Sequence, residues 1–147
     1  GKNAVQTQSY GPEARGGASK AEVVVSDEDI DYPKATDPDF LLALTAEAYK
    51  TYGAAMGKGL IIVDASVPVS DSIKARTARV PILATAGEEL GKKVVANIVA
   101  LGVLGRLSGV VTLPTLERAV RSRVPKGTEE LNLTALRRGW EIAAASV

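Results

Sequence analysis

The sequence predicts an α/β fold, a layered mixed β-sheet with helices on both faces, and three observations carry that expectation. Two short, continuous apolar runs, Phe40-Leu41-Leu42-Ala43-Leu44 and Leu60-Ile61-Ile62-Val63-Asp64, suit strands covered on both sides. Between them Ala46 to Met56 reads as a helix, so strand and helix alternate. The C-terminal half is dominated by helical periodicity, which supplies layers to cover the sheet.

The elements follow in order. Residues 4–9 and 19–26 are expected strands; in the second, Lys20 and Glu22 alternate with Ala21, Val23 and Val25, the pattern of a half-buried strand. The stretch Tyr10-Gly11-Pro12-Glu13-Ala14-Arg15-Gly16-Gly17 between them is too long for a tight hairpin turn and rich in turn formers. Residues 27–39 carry Asp27, Glu28, Asp29, Asp31, Asp37 and Asp39 against Lys34, with Pro33 and Pro38 breaking regular structure. This reads as a solvated acidic connection whose spacing matches no calcium loop. After the helix at 46–56, ended by Gly57 and Gly59, and the strand at 60–64, Pro81-Ile82-Leu83-Ala84-Thr85 is expected as a further strand.

Thr85-Ala86-Gly87-Glu88 fits a capping box opening a helix that runs to about Leu107. Its residues from Val94 to Gly105 are almost wholly apolar and are expected to be deeply buried. Gly102 and Gly105 weaken it as a helix and imply that a neighbouring element approaches closely. A second helix is expected near Leu113, capped by Thr112 with Pro114 in its first turn and with Glu117 and Arg121 at i, i+4 spacing. A last helix places Leu133, Leu136, Trp140, Ala143 and Val147 on one stripe.

Composition excludes several functions. The 147 residues make one ordinary domain with enough length to bury a core. Eighteen Lys and Arg against 17 Asp and Glu leave a net charge of +1, without the excess of a general nucleic-acid binder. With no Cys and no His, the chain cannot hold an iron–sulfur cluster, a structural zinc, a disulfide or a Ser–His–Asp triad. The longest strongly apolar stretch, Val94 to Gly105, covers 12 residues, whereas a membrane span needs about 20. No signal peptide is visible, and the chain is expected to be soluble and cytoplasmic.

Three features are candidates for chemistry. Gly16 and Gly17 can expose amide N–H groups, and with Arg15 and Lys20 near they could receive a phosphate; the same loop also reads as a plain long connection. Asn97 shares a helical face with Val94, Leu101 and Leu104, where it makes either a structural hydrogen bond or a ligand contact. Gly53-Ala54-Ala55-Met56-Gly57-Lys58-Gly59 superficially suggests a phosphate loop. It lacks the spacing and the final Ser or Thr of one and leads from helix to strand, so it reads as a helix end followed by a turn.

The run Thr7-Gln8-Ser9-Tyr10-Gly11-Pro12-Glu13-Ala14-Arg15-Gly16-Gly17-Ala18-Ser19-Lys20-Ala21-Glu22-Val23 resembles the gamma subunit of the 2-oxoacid:ferredoxin oxidoreductases, above all the 2-oxoglutarate type. Ala96-Asn97-Ile98-Val99-Ala100-Leu101-Gly102 and Val124-Pro125-Lys126-Gly127-Thr128-Glu129-Glu130-Leu131-Asn132 resemble the family's C-terminal segments, so the likeness covers nearly the whole chain. Members usually begin with a strand, a G-x-G-G-Q-G turn and a helix; this chain starts after that point. The resemblance therefore implies that residues 1–147 form a single gamma-type domain, N-terminally incomplete, folded like domain III of pyruvate:ferredoxin oxidoreductase.

It further implies a non-autonomous subunit of a complex that oxidatively decarboxylates a 2-oxoacid, forms an acyl-CoA and reduces ferredoxin. Thiamine diphosphate, its Mg and the iron–sulfur clusters would belong to the thiamine-binding alpha and beta subunits and a ferredoxin-like subunit. By the resemblance, Tyr10, Gly11, Glu13, Arg15, Gly16, Gly17 and Asn97 face coenzyme A or the active centre. Many related one-chain enzymes have lysines where this loop has Glu13 and Ala14, leaving Arg15 to supply the charge. The alternative is a purely structural subunit of the same complex without ligand contacts.

Overall fold

The computed structural model describes residues 1–10 and 19–146; residues 11–18, most of the expected Tyr10–Gly17 loop, and Val147 lie outside the described residues. The chain forms two compact units, Gly1–Pro38 and Asp39–Val147.

The first unit is an antiparallel ribbon of β1 (Asn3–Tyr10) and β2 (Ser19–Ser26), in register from Asn3 opposite Ser26 to Tyr10 opposite Ser19. Its alternation is as expected, but its faces are reversed. Glu22 and Val24 lie on the partly covered side, opposite Thr7 and Val5, whereas Val23 and Val25 are exposed. The Thr7 hydroxyl donates to Glu22 Oε2 at 3.3 Å, which gives the carboxylate a polar neighbour on that side. A two-stranded ribbon has no core of its own to dictate which face turns inward. The acidic connection after β2 is fastened at its start: Lys2 pairs with Asp27 at 2.6 Å and Asn3 Nδ2 donates to the Glu28 carbonyl at 3.0 Å.

The second unit is built on three parallel strands in the order β3 (Phe40–Ala43), β4 (Leu60–Asp64), β5 (Arg76–Val80). Helix α1 (Ala46–Gly53) joins β3 to β4, its first turn capped by the Thr45 hydroxyl, which accepts from Ala48 N at 3.1 Å. It ends at Gly53, before the glycines expected to stop it, and Met56 beyond it is buried in one cluster with Tyr49, Ile61 and Val63. Side chains of β4 alternate between two layers. Ile61 and Val63 pack with Tyr49 and Met56 on the α1 side, and Ile62 packs with Val99, Val103 and Ala143 on the other. The α/β class and the helices on both faces are as expected, with the strands divided between a ribbon and a parallel sheet.

Three expectations for residues 81–107 are corrected. The strand expected at 81–85 is helical: Ile82–Ala84 form a short α2, which continues as a wide turn over Thr85–Glu89 with Leu90 N bonded to Thr85 O at 3.0 Å. The strand lies just before, at Arg76–Val80, on the sheet edge, where Arg76 and Arg79 meet solvent. A short apolar run cannot by its period distinguish a strand from a buried helical turn. Thr85 is also no cap. It is buried within the helical segment and its hydroxyl donates to the Pro81 carbonyl at 2.6 Å. The long helix expected from there is interrupted at Leu90–Lys92, and α3 proper spans Ala96–Ser108, after a tight turn at Lys93–Val95.

Helices α4 (Leu113–Arg123) and α5 (Glu129–Ala145) complete the unit, with Thr112 capping α4 and Pro114 in its first turn as the sequence indicates. Leu133, Leu136 and Ala143 of the expected α5 stripe are fully buried. Glu117, expected to pair with Arg121 along α4, instead accepts from Arg137 Nε of α5 at 2.6 Å. Helices α3 and α5 meet backbone to backbone. A Cβ on Gly102 would lie 2.9 Å from Trp140 N and closer still to the Leu136 carbonyl oxygen, and one on Gly139 would strike the Val99 carbonyl. The close approach inferred from Gly102 is therefore real, and Gly139 is its counterpart. Arg106 stacks over the Trp140 ring at 5.6 Å beside this crossing. Among the described residues, no helix is long and apolar enough to cross a membrane.

Candidate functional site

The start of α3, the end of α4 and the first turn of α5 enclose an open groove of about 530 Å³, a volume ordinary for a small-molecule site. Its walls are apolar, formed by Val94, Ile98, Leu101, Val120, Val124 and Leu131. Val94, expected to be deeply buried, is 80% exposed at the rim. Four polar side chains line the groove, Asn97, Asn132, Arg123 and Thr128, the last with its hydroxyl donated to the Pro125 carbonyl at 2.6 Å. Asn97 is exposed, not buried as its apolar surroundings in sequence imply, because it sits in the first turn of α3 where the helix face opens on the groove. Its Oδ1 accepts from Ile98 N at 3.0 Å, which leaves Nδ2 turned to no partner among the described residues.

The buried amide is Asn132, in the first turn of α5. Its Nδ2 donates to the Thr128 carbonyl at 2.9 Å and its Oδ1 accepts nothing among the described residues. No buried side-chain oxygen among the described residues is left without a partner, so this Oδ1 is open to solvent. Arg123, the last residue of α4, has a guanidinium with no ion pair or hydrogen bond among the described residues. Its neighbours Arg118 and Arg121 are engaged with Thr115 and Glu130. Sequence reasoning found Asn97 but missed Asn132 and Arg123, whose groove exists only once three helix ends converge.

A second cavity, of about 430 Å³, opens at the carboxyl ends of the parallel strands beside Asp64, Ser66, Glu88 and Lys93. That is where open α/β sheets commonly bind ligands. Here the buried Asp64 is fully engaged with the protein. Its Oδ1 accepts from Leu83 N at 2.7 Å, and its Oδ2 from the backbone and hydroxyl of Ser66. Burial pushes the Asp64 carboxyl up, but the hydrogen bonds from Leu83 and Ser66 together hold it below its ordinary value. Asp64 is a structural anchor that caps α2 from a strand.

Of the other expected site residues, Tyr10 ends β1 opposite Ser19, and Gly11, Glu13, Arg15, Gly16 and Gly17 lie outside the described residues. Lacking Cys and His, the chain has no ligands for an iron–sulfur cluster, and the described residues form no group of three or more His, Cys, Asp or Glu able to hold a metal.

Comparison with known proteins gives this geometry a setting. The chain is 47% identical over 146 residues to 2-oxoglutarate synthase subunit KorC of Methanocaldococcus jannaschii, covering 97% of this chain and 78% of that one. Its structure matches the gamma subunit of a keto/oxoacid ferredoxin oxidoreductase from Geobacter sulfurreducens with a TM-score of 0.86 at 41% identity, covering 99% and 81% of the two chains. At 20% identity it shares its fold, with a TM-score of 0.84, with 27% of a chain of the 2-oxoglutarate:ferredoxin oxidoreductase from Magnetococcus marinus, solved with 2-oxoglutarate, coenzyme A and succinyl-CoA bound. A sequence profile named pyruvate ferredoxin/flavodoxin oxidoreductase matches residues 1–142. With a profile spanning almost the entire chain and a close structural counterpart, the chain belongs to the pyruvate ferredoxin/flavodoxin oxidoreductase family.

Proposed function

We propose that the chain is the gamma subunit of a cytoplasmic, thiamine-dependent 2-oxoglutarate:ferredoxin oxidoreductase and that it helps to bind coenzyme A. The likeness along nearly the whole chain to a subunit named for 2-oxoglutarate carries this reading. In the reaction, 2-oxoglutarate loses carbon dioxide, its succinyl group passes to the coenzyme A thiol, and the electrons go to ferredoxin. Thiamine diphosphate, Mg and the iron–sulfur clusters belong to the thiamine-binding alpha and beta subunits and the ferredoxin-like subunit. A chain without thiol or imidazole ligands suits that division of labour.

Residues 1–147 act in this as one gamma-type domain that positions the acyl acceptor. Tyr10, Gly11, Glu13, Arg15, Gly16 and Gly17 face coenzyme A or the active centre, with Arg15 gripping phosphate and the glycine amides lining the path of the arm. Asn97, exposed in the groove with a free Nδ2, pairs with an amide of the pantetheine arm.

The test uses the complex assembled with its partner chains. Arg15→Ala and Asn97→Ala are each expected to raise the KM for coenzyme A with little change in the KM for 2-oxoglutarate. Coenzyme A kinetics unmoved by both would leave only a scaffolding role.

A further inference from the structure

The groove holds more than Asn97. Its apolar walls carry one free amide donor, Asn97 Nδ2, and one open amide acceptor, Asn132 Oδ1, with a single unengaged guanidinium, Arg123, at the end of α4. An apolar channel with separate donor and acceptor matches a chain of methylenes interrupted by secondary amides. An unpaired arginine beside it matches a phosphate, which a guanidinium binds through two parallel hydrogen bonds. Charge placement favours one end for that phosphate. Arg123 and Lys126 flank the Val124–Pro125 wall, while Glu129 and Glu130 start α5, where Glu129 accepts from Gly127 N and Glu130 pairs with Arg121.

We propose that this groove seats the polyamide arm of the acyl acceptor between Asn97 and Asn132, and that Arg123 binds its phosphates. The assignment rests on the reading that the chain binds coenzyme A, and it adds Asn132 and Arg123 to the residues that do so. Both act in binding, since neither is placed at the reacting thiol.

The discriminating experiment compares two acyl acceptors in the assembled enzyme: coenzyme A and pantetheine, which has the same amides and thiol but no phosphate. Arg123→Ala is expected to raise the KM for coenzyme A about tenfold or more, with kcat and the KM for 2-oxoglutarate retained. It should leave the KM for pantetheine unchanged, and Arg123→Lys should recover part of the loss. Asn97→Ala should raise the KM for both acceptors, because both carry the amides.

An unchanged coenzyme A KM in Arg123→Ala overturns the proposal. If Asn97→Ala or Arg15→Ala still raises that KM, the coenzyme A reading stands and only the groove assignment falls. If all three variants are silent, both fall together. A poorer yield of assembled complex in Arg123→Ala with normal coenzyme A kinetics in what assembles also overturns it, making Arg123 a contact to a partner chain.

Discussion

Replacing Gly139 by alanine tests the packing argument at its tightest point. The new Cβ would sit 2.9 Å from the Val99 carbonyl carbon and 3.1 Å from its Cα, where ordinary contact begins near 3.4 Å, and it would come closer still to the Val99 oxygen. These neighbours are backbone atoms of a helix, so no side chain can rotate away and α3 and α5 must part by about an ångström. A gap of that order forfeits a quarter to a half of the dispersion energy of the facing atoms. Those atoms include the fully buried Val99, Val103, Ala135, Leu136 and Ala143. Overpacking costs about 1–3 kcal/mol, and with a rigid obstacle the upper end applies. Alanine returns about 1 kcal/mol through its better helix propensity. The net expectation is a loss of about 2 kcal/mol, or a fall in Tm of roughly 4–8 °C for a chain of this size. Denaturant unfolding of the chain and the melting of the assembled complex both report it. A midpoint equal to or above that of the wild type would refute the claim that backbone contact sets the distance between these helices.

Gly105→Ala should be far milder, within about 1 kcal/mol, because its obstacle is the flexible end of Leu116; thermal melting of the two variants side by side checks the ranking. Asp64→Asn removes a carboxylate that accepts three hydrogen bonds and should cost about 1–3 kcal/mol. Because the folded-state pKa of Asp64 is depressed, its contribution is complete above the ordinary carboxylate value and is lost as pH falls below that value through the lowered one. Acid unfolding curves of wild type and variant should therefore converge at low pH; a constant gap would contradict this. Glu89 is held below its ordinary pKa first by the hydrogen bond from Arg138. Its NMR titration should move up towards the ordinary glutamate value in Arg138→Ala, and an unmoved titration would rule out that cause.

Continuous apolar runs made β3 and β4 legible in the sequence, and cap chemistry located α4, since both signals are local. What failed depended on distant partners. The helical turn that starts at Ile82 is stabilised through the Leu83 amide by Asp64, 19 positions before Leu83, so no local capping motif marks it. Thr85 and Glu88 had the right spacing for a box, yet the helical segment had already begun at Ile82. The ribbon's alternation was readable but its covered face was not, because both faces carry valine: Val24 on one, Val23 and Val25 on the other. Asn97 drew attention through its apolar company, which turned out to be a groove wall instead of a core. Asn132 and Arg123 gave no comparable signal, being ordinary polar residues at ordinary helix ends until α3, α4 and α5 converge.

The anchoring of α2 by a strand residue also bears on the order in which the unit assembles. A turn whose leading amide is held by a carboxylate at the end of β4 gains that support only after β4 has found its place. Segment 82–89 thus depends on the sheet for its shape, and as an isolated peptide it should remain unstructured. Slowed amide exchange at Leu83 would then appear together with protection of β4, and would be lost with it.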